Sequence, residues 1–259
     1  MDLGLEGRVA VVTGASRGIG LAVVAALAGE GVRVVAGARS SSPELDELAK
    51  ASTVEVVEVD LAEPAGPGRL VGAAGDRIDI RVNNVGGAPV RTGGFLSVTD
   101  EEWQATLDIN LLPAVRATRA ALPLMLAAGR GSIVTIASVN STLSDPAVID
   151  YSAAKAALAS FSKALSKEVG PKGVRVNTVS PGPVATALWL GGDGVAATVA
   201  RAAGLKADDV VEQAAHQSPT GRFSQPNEVA DIVLLLASDR SANVTGADIR
   251  IDGGLIPTW

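Results

Sequence analysis

The feature that most constrains this chain is an alternation. Short continuous runs of β-branched and apolar residues take turns with longer segments of helical periodicity along all 259 residues. The β-rich runs are Val9 to Thr13, Val32 to Ala38, Val54 to Val59, Ile78 to Asn83, Ser132 to Ala137, Val174 to Val179 and Asp248 to Ile251. Apolar and polar residues do not alternate cleanly within them, which is the pattern of strands buried on both faces. Between them lie helical patterns at Gly18 to Glu30, Pro43 to Lys50, Pro67 to Ala74, Thr99 to about Ala128, Asp150 to Val169 and Gln225-Pro226 to Ala237. Such a series predicts an α/β fold: a single doubly wound domain over residues 1–259, with a seven-stranded parallel sheet and helices on both faces.

Local signals place the boundaries. Pro43 suits a first helical turn, and Thr99 with Glu102 reads as a capping box. Pro113 and Pro123 are expected to bend or break the long helical region, and Gly170-Pro171 to stop the helix before them. The stretch from about 187 to 222 interrupts the alternation and carries Gly191-Gly192-Asp193-Gly194. Two short helices and the role of a substrate lid are expected there.

Composition excludes whole classes of function. A net charge of −6 with no basic block argues against nucleic acid as a partner. The absence of cysteine removes disulfides, thiolate zinc sites and thiol nucleophiles. The single histidine, His216, cannot build a poly-histidine metal site, so no metal is expected. No apolar run of membrane-spanning length escapes interruption by a charge, Gly or Pro, and the N-terminus carries no secretory pattern. A soluble cytoplasmic protein without membrane contact is expected. Aromatic residues make up only 3%, and there is one tyrosine, Tyr151.

Two motifs carry chemistry. Thr13-Gly14-Ala15-Ser16-Arg17-Gly18-Ile19-Gly20 joins the first strand to the first helix. Its glycines let a phosphate approach the backbone, and the helix N-terminus offers free N–H groups and a positive dipole end. Arg17 is either a solvated loop charge or a partner for an extra phosphate. In the second motif, Tyr151 and Lys155 lie four residues apart, on one helical face. An ammonium beside a phenol lowers its pKa from about 10, so the pair can act as a general acid–base. Ser138 ends the fifth strand, where ligands of such folds sit; it either binds a substrate oxygen or caps a loop. Asn110, shortly before Pro113, is either a solvent-facing residue or the mark of a kink that exposes a backbone carbonyl to water.

Together these positions resemble the short-chain dehydrogenase/reductase family over essentially the whole chain, with the 3-oxoacyl-carrier-protein reductases as the most similar subgroup. The matching positions are Thr13 to Gly20, Asp60-Leu61, Asn83 to Gly86, Asn110, Ser138, Tyr151, Lys155, Pro181-Gly182, Thr186, Val244 to Gly246 and Asp252 to Gly254. The resemblance implies a Rossmann-type domain and a catalytic set of Asn110, Ser138, Tyr151 and Lys155. Tyr151 would be the acid–base, Ser138 would orient the substrate oxygen, Lys155 would hold the nicotinamide ribose, and Asn110 would position a relay water. Gly14, Ser16, Gly18, Ile19 and Gly20 would hold the cofactor diphosphate. Asp60 with Leu61 would meet the adenine, and Asn84 and Gly86 the adenosine ribose side. Pro181, Gly182, Val184 and Thr186 would wrap the nicotinamide. Val85 departs from the family's usual Ala and affects only fine packing. The Tyr–Lys spacing differs from that of the bacterial enoyl reductases of the superfamily, and the glycine spacing from the epimerase branch.

An NAD-dependent enzyme of this kind places a carboxylate after the second strand, on the ribose 2′-OH. Here Ala38 holds that position, followed by Arg39 and Ser40. With Arg17 across the turn, two guanidinium groups could flank a 2′-phosphate. NADP(H) is therefore the expected cofactor, with NAD(H) possible. A small carbonyl or alcohol compound is the expected substrate. Its pocket is expected among 87–95, 139–149 and the lid, lined by Val139, Leu143, Val148, Leu188 and Trp189, with His216 also a candidate. Other readings are an NAD-dependent polyol or sugar dehydrogenase, a 3-oxoacyl thioester reductase and a non-catalytic dinucleotide sensor. The family implies a homotetramer built through the two long helices and the C-terminal strand, with the tail from Leu255 reaching a neighbour.

Overall fold

The fold follows from seven strands that are apolar on both sides. In the computed structural model, which describes residues 2–258, they are β1 (Val9–Thr13), β2 (Arg33–Ala38), β3 (Val54–Glu58), β4 (Ile80–Asn83), β5 (Gly131–Ile136), β6 (Val174–Pro181) and β7 (Asp248–Ile251). They form one sheet in the order β3-β2-β1-β4-β5-β6-β7, and every neighbouring pair is parallel. The chain winds outward from β1 to β3, then returns to lay β4 beside β1 and winds the other way. The switch between β1 and β4 opens a crevice at the carboxyl ends of the strands, where such sheets bind ligands.

Successive strand residues point to opposite faces, so each face needs its own core. Val12, Val34, Ile80 and Val134 pack against α1 (Gly18–Gly29), α2 (Pro43–Ala51) and the C-terminal helix Pro226–Ala237. Val11, Val35, Ile133 and Val176 pack against α3 (Gly66–Gly72) and the helices Leu112–Ala128 and Ile149–Val169. Each fully buried Val or Leu contributes about 1.5–3 kcal/mol, and the two layers together clamp the sheet.

The long helical region is two helices, α4 (Asp100–Asn110) and α5 (Leu112–Ala128), broken at Leu111. Pro113 lies in the first turn of α5 and withholds the N–H that Ile109 would otherwise receive. Pro123 does not break α5; it sits on the solvent side, where water can take the freed carbonyl. By length and composition alone, Asp100–Ala128 is apolar enough to cross a membrane, unlike the sequence expectation. It is nonetheless two helices, and α5 buries Ala117, Ala121 and Met125 against the sheet. β4 starts two residues later than expected, because the Asp79 carboxylate takes the Val9 N–H at 2.9 Å in place of a ladder bond. β6 runs two residues further, since Ser180 and Pro181 pair with β7.

Next comes α6 (Ile149–Val169), and after β6 the excursion holds three helices rather than two: α7 (Ala187–Leu190), α8 (Val195–Ala203) and α9 (Ala207–His216). It has its own small cluster, Ala196, Ala200 and Val210. A bridge between Val184 and Ser224 closes its base, and α10 (Pro226–Ala237) follows.

Candidate active site

The glycine turn forms one wall of the crevice. Asn84 Nδ2 donates to the Thr13 and Gly14 carbonyls, both at 3.0 Å, and the Asn84 N–H donates to Thr13 Oγ1 at 2.9 Å. Asn84 thus ties the end of β4 to the turn after β1. Gly14 has φ +67°, and a Cβ on Gly20 would stand 2.0 Å from the Gly14 oxygen. No side chain fits there. Helix α1 starts at an extended Arg17 with no side-chain cap and no acidic residue in its first turn, so its N–H groups face the crevice free. Ser16 and Ile19 are half-buried beside them. The Thr186 methyl packs against Gly18, joining this wall to the start of the excursion.

The opposite wall is built on α6 and the end of β5. Lys155 is buried, and its Nζ donates to the Ile136 carbonyl at 2.9 Å and lies 5.7 Å from the Tyr151 ring centre. Burial lowers the Lys155 pKa to about 8. Burial also pushes the Tyr151 phenol up, partly offset by a hydrogen bond from Ser138. This direction is opposite to the lowering expected from its lysine neighbour, and burial is its largest cause. Ser138 takes the capping role foreseen for it and also reaches Tyr151. Its oxygen caps a 3₁₀ turn by accepting the Asn140 N–H at 3.1 Å, while its hydroxyl serves Tyr151.

Asn110 is 1% exposed, which excludes the solvent-facing alternative. Its Nδ2 donates to Gly87 O at 2.9 Å and Thr106 O at 3.0 Å, and its Oδ1 accepts the Gly87 N–H at 3.1 Å. A Cβ on Gly86 would meet Asn110 Oδ1 at 2.7 Å and Lys155 Nζ at 3.5 Å. Gly86, expected with Asn84 on the adenosine ribose side, therefore lies on the Lys155 side. Asn84 lies under the glycine turn.

At the far end of the crevice Arg39 and Ser40 are exposed after β2, and Arg17 is exposed across from them. Among the described residues neither arginine has an ion pair or a side-chain hydrogen bond. A carboxylate is nearer than the sequence indicated. Glu58 on β3 is the register partner of Ala38 and accepts the Ser41 N–H at 3.1 Å. Asp60 Oδ1 accepts the Ala62 N–H at 2.9 Å, and Leu61 is buried beneath. Pro181 and Gly182 continue β6, with the Gly182 N–H on the Ile251 carbonyl, and Val184 is buried at the base of the excursion.

The expected substrate lining divides. Val139 and Val148 are buried, whereas Leu143 and Leu188 are more than two-fifths exposed. Trp189 packs edge-on against Phe223, ring centres 5.2 Å apart. His216 points away on the outer face of α9, paired with Glu212 at 3.6 Å. Sequence reasoning missed a cluster beside Tyr151: the buried Asp150 and Thr106, Arg91, and Glu102, which reaches solvent. It also missed Asn140, whose Oδ1 is 3.2 Å from Ser138 Oγ. No spacing rule joins residues that lie 59 positions apart, as Arg91 and Asp150 do.

A family model described as Enoyl-(Acyl carrier protein) reductase matches residues 14–256. The 3-oxoacyl-[acyl-carrier-protein] reductase FabG of Vibrio harveyi is 33% identical over 261 residues, covering 98% of this chain and 99% of that protein. The D-threitol dehydrogenase of Mycolicibacterium smegmatis is 37% identical over 264 residues, covering 98% and 94%. The crystal structure of L-sorbose reductase from Gluconobacter frateurii, complexed with NADPH and L-sorbose, superposes with a TM-score of 0.90 at 33% identity and covers 100% of both chains.

Proposed function

This chain belongs to the short-chain dehydrogenase/reductase family, near its 3-oxoacyl-[acyl-carrier-protein] reductases, and on that premise we propose that it reduces a ketone, or oxidises the matching secondary alcohol, with NADP(H). The observation that carries this reading is the meeting of Ser138, Tyr151, Lys155 and Asn110 at the carboxyl ends of β4 and β5, across from a glycine turn that no side chain fills.

The cradle fits a dinucleotide. The bare turn at Gly14, Gly18 and Gly20 and the free N–H groups of α1 suit a diphosphate. Arg17, Arg39 and Ser40 would hold a 2′-phosphate, and Asp60 with Leu61 the adenine. Pro181, Gly182, Val184 and Thr186 would border the nicotinamide. NADPH, when bound, supplies a hydride to the carbonyl carbon. Tyr151 would give its phenolic proton to the carbonyl oxygen, to which Ser138 donates a hydrogen bond. The raised Tyr151 pKa keeps the phenol protonated at neutral pH, which suits a proton donor. Lys155, with a pKa of about 8, can return a proton to Tyr151 at working pH. Asn110 holds the Gly86–Gly87 segment against Lys155, where a relay water would sit.

One observation favours a polyhydroxylated substrate over a plain ketone. The Asn140 amide stands beside Ser138 and could bond a hydroxyl next to the reacting carbon. The likeness to a threitol dehydrogenase and a sorbose reductase agrees with this, while the likeness to FabG supports a 3-oxoacyl thioester. A cytoplasmic homotetramer with Leu188 and Trp189 in a substrate lid completes the proposal.

Titration with NADPH and NADH, followed by nicotinamide fluorescence, tests the cofactor. Tighter NADPH binding is expected, and Arg39→Asp should weaken it by about tenfold or more, the worth of one charge-assisted bond. Unchanged NADPH affinity in Arg39→Asp would remove the 2′-phosphate assignment. Tyr151→Phe should lose about 10²–10⁴-fold in turnover while still binding NADPH. Preserved turnover would end the acid–base reading.

A further inference from the structure

The cluster beside Tyr151 is built around one guanidinium. Arg91 Nε and Nη2 both donate to Asp150 Oδ2, at 3.1 and 2.5 Å, and Nη1 donates to Glu102 Oε1 at 2.7 Å. The Arg91 backbone N–H donates to the Ala147 carbonyl at 2.7 Å. Asp150 has no exposed side-chain surface, and that of Arg91 is 11% exposed. Thr106 Oγ1 donates to the same Asp150 oxygen at 2.7 Å, and the Tyr151 N–H donates to Oδ1 at 3.0 Å. The Thr106 carbonyl in turn receives Asn110 Nδ2, whose amide clasps Gly87. The contacts close a circuit. It runs from Gly87 along the loop to Arg91, across to the first turn of α6, on to α4, and back through Asn110.

We infer that Arg91 and Asp150 are positioning residues of this active site. They lock the loop that carries Gly86 and Gly87 to the helix turn that carries Tyr151, and Arg91 neutralises the carboxylate that holds the Tyr151 backbone N–H. The inference rests on Tyr151 being the acid–base. A buried carboxylate without a cation would otherwise repel a forming phenolate one residue away. Among the described residues no second cation pairs with Asp150. Lys155, on the same helix, is engaged with Ile136. The Ser138 hydroxyl after β5 bonds the phenol, and the other titratable groups bonded to this circuit are Glu102 on α4 and Asp145 on the turn before α6. Glu102 and Asp145 are acidic and reach solvent, so water screens them.

The chain has one tyrosine, so phenolate absorbance titrates Tyr151 alone and needs no substrate. The titration is run on folded protein with and without saturating NADP⁺, with tryptophan fluorescence as the check on folding. Arg91→Met should move the midpoint up by about half a pH unit or more. Asp150→Asn, which is nearly isosteric and can keep the Thr106 bond, should move it down by a similar amount. The double variant should return close to the starting value. NADPH affinity should stay within about twofold in all three, since neither side chain faces the cofactor cradle. Midpoints that stay put while thermal stability falls would overturn the inference and leave the pair with a packing role alone. If Arg91→Met does not fold, Asp150→Asn decides by itself. Failure of the acid–base reading shows separately, as preserved turnover in Tyr151→Phe.

Discussion

Two regions border the crevice, and they are built on opposite terms. The sheet-supported side comprises the glycine turn and, opposite it, the ends of β4 and β5 with the first turns of α6. Its polar groups are tied, and all but Asn84 are buried: Asn84 to the turn, Asn110 to Gly87, Lys155 to Ile136, Asp150 to Arg91. The excursion from 187 to 222 has three short helices, a cluster of only Ala196, Ala200 and Val210 at its centre, and exposed Leu188, Leu190 and Leu205. Fixed geometry serves chemistry that demands placement within fractions of an ångström. A loosely packed segment serves whatever must open and close. The comparison predicts that equal substitutions should have unequal effects in the two regions.

The sharpest contrast is between two glycines. Gly20→Ala places a methyl 2.0 Å from the Gly14 carbonyl, a backbone atom that cannot step aside cheaply. The turn must deform, at about 1–3 kcal/mol in stability. NADPH affinity should fall about a hundredfold as backbone N–H groups lose their aim at the diphosphate. Gly192→Ala in the excursion meets nothing within 4 Å and no positive φ, so stability should stay within about 0.5 kcal/mol. Similar NADPH affinity in the two variants would break the comparison.

The same difference explains what the sequence could show. The strand series was legible because both sheet faces are dry, so that Val11 and Val12 are equally apolar although they enter different cores. The break near Pro113 was legible from the chemistry of proline, while Pro123 misled because sequence does not tell that it faces water. Tyr151 and Lys155 could be paired because four residues make a helical neighbour. Arg91 and Asp150 could not, since only the closed fold brings them together. The direction of the Tyr151 shift was misjudged for a related reason: neighbours along a helix can be read, but dryness is a property of the assembled crevice. In the excursion, three helices stand where two were expected, because α7, four residues long, is too short to show a helical period.

Function in the wall also has a thermodynamic cost that the excursion does not share. Lys155 falls from 10.5 to about 8 on folding. The unfolded chain therefore binds this proton more readily than the native one between about pH 8 and 10.5, and native stability rises with pH across that window. At pH 7 the burden is on the order of 3 kcal/mol. Lys155→Met should remove it but orphan the Ile136 carbonyl, at about 1 kcal/mol, for a net gain near 2 kcal/mol at pH 7. The gain should shrink towards pH 10.5. Arg81, fully buried and lowered to about 9, adds a similar slope at higher pH, but wild type and variant share it. Denaturant unfolding at pH 7 and pH 10 reads the difference directly. A variant no more stable than wild type at pH 7 would mean that the native lysine is compensated.

The smallest effect tests whether the excursion touches substrate at all. Trp189 is the largest side chain on α7, and its edge-on contact with Phe223 is the kind of pair worth about 0.5–1.5 kcal/mol. Phe223 lies just beyond the excursion and is buried, so the pair pins α7 to the base of that segment. Loss of the indole should loosen how α7 closes without disturbing Ser138, Tyr151 or Lys155, none of which it bonds. Trp189→Ala should therefore raise KM roughly three- to tenfold, the weight of that contact, and leave kcat and NADPH affinity nearly unchanged. Loss of kcat with KM preserved would instead tie α7 to the chemical step, and the division between a fixed catalytic wall and a movable binding wall would fall. An unchanged KM and kcat would place the substrate away from α7, against the Val139 and Val148 side alone.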